Sequence, residues 1–94
     1  LLFNKKNVLT NQLNLYPNPS NGIFNIEIPK SLSNKANDIT IYDSNGKIIF
    51  NTQTNLEANI KINLSTISKG MYWMILKSTD IKVKEIYLQK VSIL

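Results

Sequence analysis

Apolar residues recur at every second position along most of this chain. Phe24, Ile26 and Ile28 share one face of an extended segment, as do Ile39 and Ile41, and Ile60, Ile62 and Leu64, with Asn59, Lys61 and Asn63 alternating through the last group. A period of two is the signature of strands with one buried and one wet face. The turn residues agree with it. Gly22, Gly46 and Gly70 all stand at predicted strand edges, and Asn45-Gly46 between β-rich runs is a strong hairpin signal. Pro29 closes one strand, and the polar stretch Lys30 to Asn37 is long enough to change sheets. The pattern predicts seven strands, over Leu13–Tyr16, Gly22–Ile28, Ile39–Asp43, Lys47–Asn51, Ala58–Leu64, Met71–Ser78 and Lys82–Val91. So many short strands in 94 residues predict an all-β fold, an immunoglobulin-like antiparallel β-sandwich. Residues 1–12 show no clean period and read as a linker from an upstream domain, leaving 13–94 as one domain; with no initiator methionine, the chain is expected to be the tail of a longer protein.

Composition narrows the chemistry more than it narrows the fold. There is no cysteine, so the core rests on apolar packing without disulfides or thiolate metal sites. There is no histidine, which removes the commonest general base, metal ligand and triad orienter together. No serine is therefore paired with a plausible base, and no glycine-rich phosphate loop is present. The expectation is a protein that is not an enzyme, with no catalytic residues, cofactor or metal. The net charge of +5 comes entirely from lysines spread from Lys5 to Lys90. Without the guanidinium fork of arginine, sequence-specific nucleic-acid reading is not expected. The longest apolar run, Met71 to Leu76, is strand-sized and far short of the roughly 20 residues of a spanning helix, so no membrane insertion is expected.

The most specific segment is Leu15-Tyr16-Pro17-Asn18-Pro19-Ser20-Asn21-Gly22. Two prolines one residue apart fix φ twice and delete two donors, predicting a rigid extended corner rather than a helix or central strand. Asn18, Ser20 and Asn21 can bond nearby backbone, and Gly22 can take positive φ. Two further blocks follow in order: Ile39-Thr40-Ile41-Tyr42-Asp43-Ser44-Asn45-Gly46-Lys47, and Ile62-Asn63-Leu64-Ser65-Thr66-Ile67-Ser68-Lys69-Gly70-Met71-Tyr72. Together with a lysine-bearing last strand, these blocks resemble the type A C-terminal sorting domains of the type IX secretion system, over about Leu13 to Lys90. The resemblance implies the same sandwich fold and a non-catalytic signal that directs a fused N-terminal cargo across the outer membrane. It further implies an outer-membrane translocon and a surface sortase as partners, cleavage near the linker before Leu15, and attachment of the cargo to an anionic lipopolysaccharide. The protein would pass through the periplasm and end at the cell surface or outside the cell. In that reading Pro17, Asn18, Pro19, Asn21, Gly22, Asn45, Gly46, Gly70 and Tyr72 are architectural, and Lys82, Lys84 and Lys90 are the candidate translocon contacts.

Each candidate has a plainer reading beside it. Lysines on a last strand also deter unwanted strand pairing. Asp43-Ser44-Asn45-Gly46 superficially resembles a calcium loop but lacks the bidentate acid, and turn chemistry alone accounts for it. Asn63-Leu64-Ser65 matches a glycosylation acceptor and is equally a strand end and turn. Trp73 sits on a strand apolar on both faces; burial is the weightier expectation, and an exposed stacking platform is the alternative. From that platform comes a second function class, an adhesive or carbohydrate-binding β-sandwich using Trp73 with Tyr72 or Tyr87.

Overall fold

The computed structural model describes residues 10–11, 13–33, 35–55 and 59–94. Among them are eight strands: β1 (Thr10–Asn11), β2 (Asn14–Tyr16), β3 (Ile23–Glu27), β4 (Ala36–Tyr42), β5 (Ile48–Asn55), β6 (Asn59–Asn63), β7 (Gly70–Ser78) and β8 (Ile86–Ile93). They form a five-stranded sheet in the order β1-β8-β7-β4-β5 and a three-stranded sheet in the order β2-β3-β6. All pairings are antiparallel except that of the two-residue β1 with β8. The expected all-β sandwich of about seven antiparallel strands is therefore present, with β1 added inside the segment expected to be linker. The rest of that segment, and Ala58 at the expected start of the fifth strand, lie outside the described residues.

The period-two pattern translates directly into the core. Phe24 and Ile26 from the three-stranded sheet meet Ile39, Ile41, Met74, Leu76 and Val91 from the five-stranded one, and none of these seven is exposed at all. Alternate residues of β7 divide cleanly: Tyr72, Met74 and Leu76 are buried, while Met71, Trp73 and Ile75 face outward. The loop between β3 and β4 changes sheets as expected, but it also contributes Leu32, fully buried, which no strand periodicity marks. Asn37 holds that loop. Its amide nitrogen donates to the carbonyls of Leu32 (2.7 Å) and Lys35 (2.9 Å) from a fully buried position.

Three strand limits differ from expectation by three residues or more, each for a local polar reason. β4 starts at Ala36 rather than Ile39 because the Asn37 amide nitrogen donates to the preceding loop and the Asp38 carboxylate accepts from Thr40, Asn51 and Gln53, although among the described residues the buried Asn37 Oδ1 is left without a partner. β5 runs to Asn55 rather than Asn51, since Asn51 and Gln53 bond across to Asp38 on β4. β8 starts at Ile86, not Lys82. Ser78 and Asp80 organise a turn in between: the Asp80 amide donates to Ser78 Oγ (3.1 Å), the Lys82 amide to Asp80 Oδ1 (2.9 Å) and the Val83 amide to the Asp80 carbonyl (3.0 Å). Such side-chain-to-backbone bonds compete directly with a ladder.

Candidate functional site: the proline corner and the last strand

The corner between β2 and β3 bends at Pro17, Asn18 and Pro19, with both X–Pro bonds cis, rather than running extended. The bend delivers Asn18 to the edge of β8. Its amide nitrogen donates to the carbonyl of Lys90 (2.9 Å), and its Oδ1 accepts from the amide of Ser92 (3.0 Å). One side chain thus satisfies both an acceptor and a donor of the strand edge, as a neighbouring strand would. Ser20 continues the pairing with its main chain: its amide donates to Ser92 (2.9 Å) and its carbonyl accepts from Leu94 (2.8 Å). Pro17 and Pro19 themselves are exposed and shape the bend.

The same corner grips the loop after β6. The amide of Leu64 donates to the carbonyl of Gly22 (2.6 Å). Gly22 has φ of +110°, and a Cβ there would stand 2.8 Å from Ser65 Cα. This position needs glycine twice, for its dihedral and for the close approach of backbone to backbone. Ser20 Oγ accepts from the Gly22 amide (3.1 Å) and Asn21 Oδ1 from the Ile23 amide (3.2 Å), so the exit into β3 is set by short-range bonds. Further along, Tyr72 is buried and its hydroxyl donates to the carbonyl of Ser68 (2.5 Å). That bond tethers the approach to Gly70, whose φ is +149°, in the manner of the tyrosine corner of sandwich folds.

Residues up to 74 positions apart therefore meet at one end of the sandwich. Gly70 is in register with Ile93, and Ser20 bridges to Ile93. The β4–β5 hairpin tip lies at this end too, because Tyr42 is in register with Trp73. At that tip Asn45 is exposed and Gly46 has φ of +84°. The organiser is Asp43, whose Oδ1 accepts from the amides of Asn45 and Lys47 (2.9 Å each). Ser20 and Asp43, expected from sequence only to bond nearby backbone and to belong to a turn, join the architectural set; the short polar side chain two residues before a turn amide is the signal for both.

The three candidate contact lysines are not gathered. Lys82 and Lys84 belong to the loop between β7 and β8, at the opposite end from the corner, so the expectation that they project from the last strand is corrected by the Ser78–Asp80 turn. Lys84 lines an open groove of about 550 Å³ with Asp38, Gln53, Lys77, Asp80 and Ile81. Lys90 alone lies on β8, exposed, about 13 Å along the strand from Ile86 at some 3.3 Å per residue. It is held by Asn18 through its carbonyl and sits opposite Trp73 in register. Trp73 lies on the outer face of the sheet, outside the core cluster but only partly exposed, between the buried and the exposed expectation.

Two further carboxylates, Asp38 and Glu85, each gather side-chain hydrogen bonds. Partial burial pushes the Asp38 pKa up, but hydrogen bonds from Asn51, Thr40 and Gln53 and the charge of Lys77 outweigh it, and the net direction is down. Glu85 is held below its ordinary value by the Tyr87 hydroxyl (2.7 Å) and then by Ser31 (2.8 Å). Burial pushes the Tyr87 hydroxyl up. None of these groups adjoins a second acid in a catalytic arrangement, and among the described residues no cluster of three or more acidic side chains could hold a metal ion.

A family model described as the secretion system C-terminal sorting domain matches residues 14–90. The chain belongs to this family, the sorting domains of type IX secretion. Its members serve as export signals and are generally non-catalytic. The matched stretch opens at the first residue of β2 and ends at Lys90, whose carbonyl Asn18 holds. No curated protein matches the chain. Among solved structures it is similar to a Clostridium perfringens ZmpB chain, described as CBM51-2 in complex with GlcNAc and INT domains. The TM-score is 0.59 at 20% identity, covering 92% of this chain and 18% of that one. At that identity the likeness concerns the sandwich fold alone. The sorting domain is thus a type IX export signal, which implies engagement of the secretion machinery, a fused cargo, and a destination at the cell surface or beyond.

Proposed function

We propose that the folded domain is recognised by the outer-membrane translocon after transit of the periplasm, and that a surface sortase then cuts the cargo free before Leu15 and attaches it to an anionic lipopolysaccharide. The observation that carries this reading is the clamp of Asn18 and Ser20 on β8. It ties the family's first block to the last strand and leaves the Lys90 side chain exposed while the backbone beneath it is held. Lys90 is the contact this arrangement favours, because its position depends on the family's own corner. Lys82 and Lys84, in their separate loop, form a second patch for the same machinery.

The test is a fusion of residues 1–94 to a periplasm-directed fluorescent protein in a bacterium with a type IX system. Surface signal that disappears in a translocon mutant, with the reporter shortened by the mass of the domain, supports sorting and cleavage. A folded, uncut fusion retained in the periplasm overturns it. In the same host Lys90→Ala and Lys84→Ala are expected to lower surface display with thermal midpoints unchanged, since exposed lysines contribute little to stability. Variants that instead unfold the domain remove the support for a contact role. The outward position of Trp73 favours one other reading, a carbohydrate-binding sandwich, which a glycan array with Trp73→Ala as the control decides.

A further inference from the structure

Among the described residues the two sheets have four edges, and three of them carry a device against strand pairing. Among the described residues β1 is two residues long, and beyond it the edge of β8 is occupied by Asn18 and Ser20. β2 is three residues long and runs into Pro17. β6 has exposed Lys61 at its centre. Short length, proline, lysine and covering loops are the usual means of blunting an edge. Among the described residues β5 has none of these four, and its one irregularity is the extra residue Ile49 at the hairpin end. It is eight residues long, pairs with β4 alone, and contains neither a charge nor a proline, although the chain carries 11 lysines. The register irregularity beside Ile41 and Tyr42 is confined to the hairpin end, so Phe50 to Asn55 is a regular run of six residues.

We propose that this edge is an interface for a second copy of the chain, paired antiparallel β5 to β5 about a two-fold axis normal to the sheet. Such an axis keeps each outer face outward, so that Thr52 meets Thr52 of the second copy and Asn51 meets Gln53. These are neutral, hydrogen-bonding cross-strand pairs, and the like charges that make the rest of a +5 surface self-repelling are missing here. Asn51 and Gln53 are pre-ordered for it, since both donate to Asp38 Oδ1 on the neighbouring strand (3.0 and 3.3 Å) and lie exposed. A second copy fits better than an unrelated acidic or basic partner, because the edge offers main-chain groups and neutral side chains with no charge to complement. Each chain has one such edge, so an isologous contact closes at the dimer and does not propagate into a fibre.

The experiment is the solution mass of the 94-residue chain by sedimentation equilibrium from about 1 μM to about 1 mM, the range of weak specific association. Amide exchange of Phe50 to Asn55 is followed at both ends of that range. The expected result is a monomer–dimer equilibrium with exchange in β5 slowing as concentration rises. Asn51→Lys/Gln53→Lys, which places lysine against lysine across the axis, is expected to weaken the dimer roughly tenfold. Asn51→Lys/Gln53→Glu, which places opposite charges there, is expected to restore it. A monomer throughout, oligomers beyond the dimer, or exchange in β5 independent of concentration overturns the proposal, and the exchange measurement on the unaltered chain stands even if a double variant fails to fold.

Discussion

Gly22→Ala tests whether the proline corner is a packed joint or merely a flexible turn. Two effects act at this position. An L-residue at φ of +110° is strained by about 1–3 kcal/mol. The added Cβ also meets Ser65 Cα at 2.8 Å and the Leu64 carbonyl oxygen and Ser65 nitrogen at 3.0 Å. These are backbone atoms pinned by the Leu64-to-Gly22 hydrogen bond, so they cannot swing aside, and forced overpacking of this kind costs about 1–3 kcal/mol. Restricting the unfolded chain returns about 0.4–1 kcal/mol. The expected net loss is about 1–6 kcal/mol, a large fraction of the roughly 5–15 kcal/mol stability of a small domain. Gly70→Ala is the internal control. Its φ of +149° brings strain, but the nearest atom to an added Cβ is Tyr72 Cε2 at 4.0 Å, an ordinary contact. Its loss should be about 0–2.5 kcal/mol, from strain less the unfolded-state gain, and smaller than that of Gly22→Ala by the overpacking of about 1–3 kcal/mol. Urea unfolding at low micromolar concentration, followed by far-ultraviolet circular dichroism and Trp73 fluorescence, gives both numbers under one protocol. If the two variants lie within about 0.5 kcal/mol of each other, the close approach of corner and loop is not what Gly22 serves, and the joint described here is refuted.

The other expectations rest on the same clamp and on the two carboxylates. Asn18→Ala removes both hydrogen bonds to β8 and should cost about 1–3 kcal/mol, with amide exchange at Ser92 accelerating before that of the core strands; uniform acceleration across the sheets would contradict a local clamp. Asn18→Asp keeps the acceptor for Ser92 but sets a carboxylate against the Lys90 carbonyl, and should be no better than alanine. Asp38 and Glu85 both have pKa values below their unfolded ones, so their contribution is complete above the ordinary carboxylate range near 4 and is lost as pH falls through the depressed values. Thermal midpoints should hold from pH 7 to about 5 and decline below, and Asp38→Asn/Glu85→Gln should decline less steeply than the unaltered chain. Equal slopes would place the acid sensitivity elsewhere. Lys90→Ala should separate export from stability, and the β5 double variants should separate dimer from monomer, as set out above.

Much of the fold was legible because burial in a two-layer sandwich imposes a period of two. Phe24 and Ile26, Ile39 and Ile41, and Tyr72, Met74 and Leu76 all announce their core face through their spacing. The turns were legible for a related reason: Gly22, Gly46 and Gly70 do take positive φ, a choice made within a few residues. What escaped was polar structure inside strands. Asp38, Asn51 and Gln53 look like loop residues in sequence, yet they form strands because they bond one another across 13 and 15 residues, while Asn37 enters β4 by donating to the loop before it. The opposite error occurred at Lys82 to Glu85, where an alternating sequence suggests a strand and the Asp80 turn prevents one.

The candidate site was legible in its parts and not in its assembly. The chain by itself determines the sandwich, its turns and the family's blocks, because those depend on local dihedrals and on which residues avoid water. Only the tertiary structure decides that Asn18, 72 residues from Lys90, serves the edge of the last strand, that Trp73 faces outward, and that among the described residues β5 is the edge without a charge, a proline or a partner strand beyond it. Hydrogen-bond partners across a sheet edge are fixed by register and by which strands become neighbours, and a long-range pairing of one asparagine with two main-chain groups has no periodicity by which a sequence could show it.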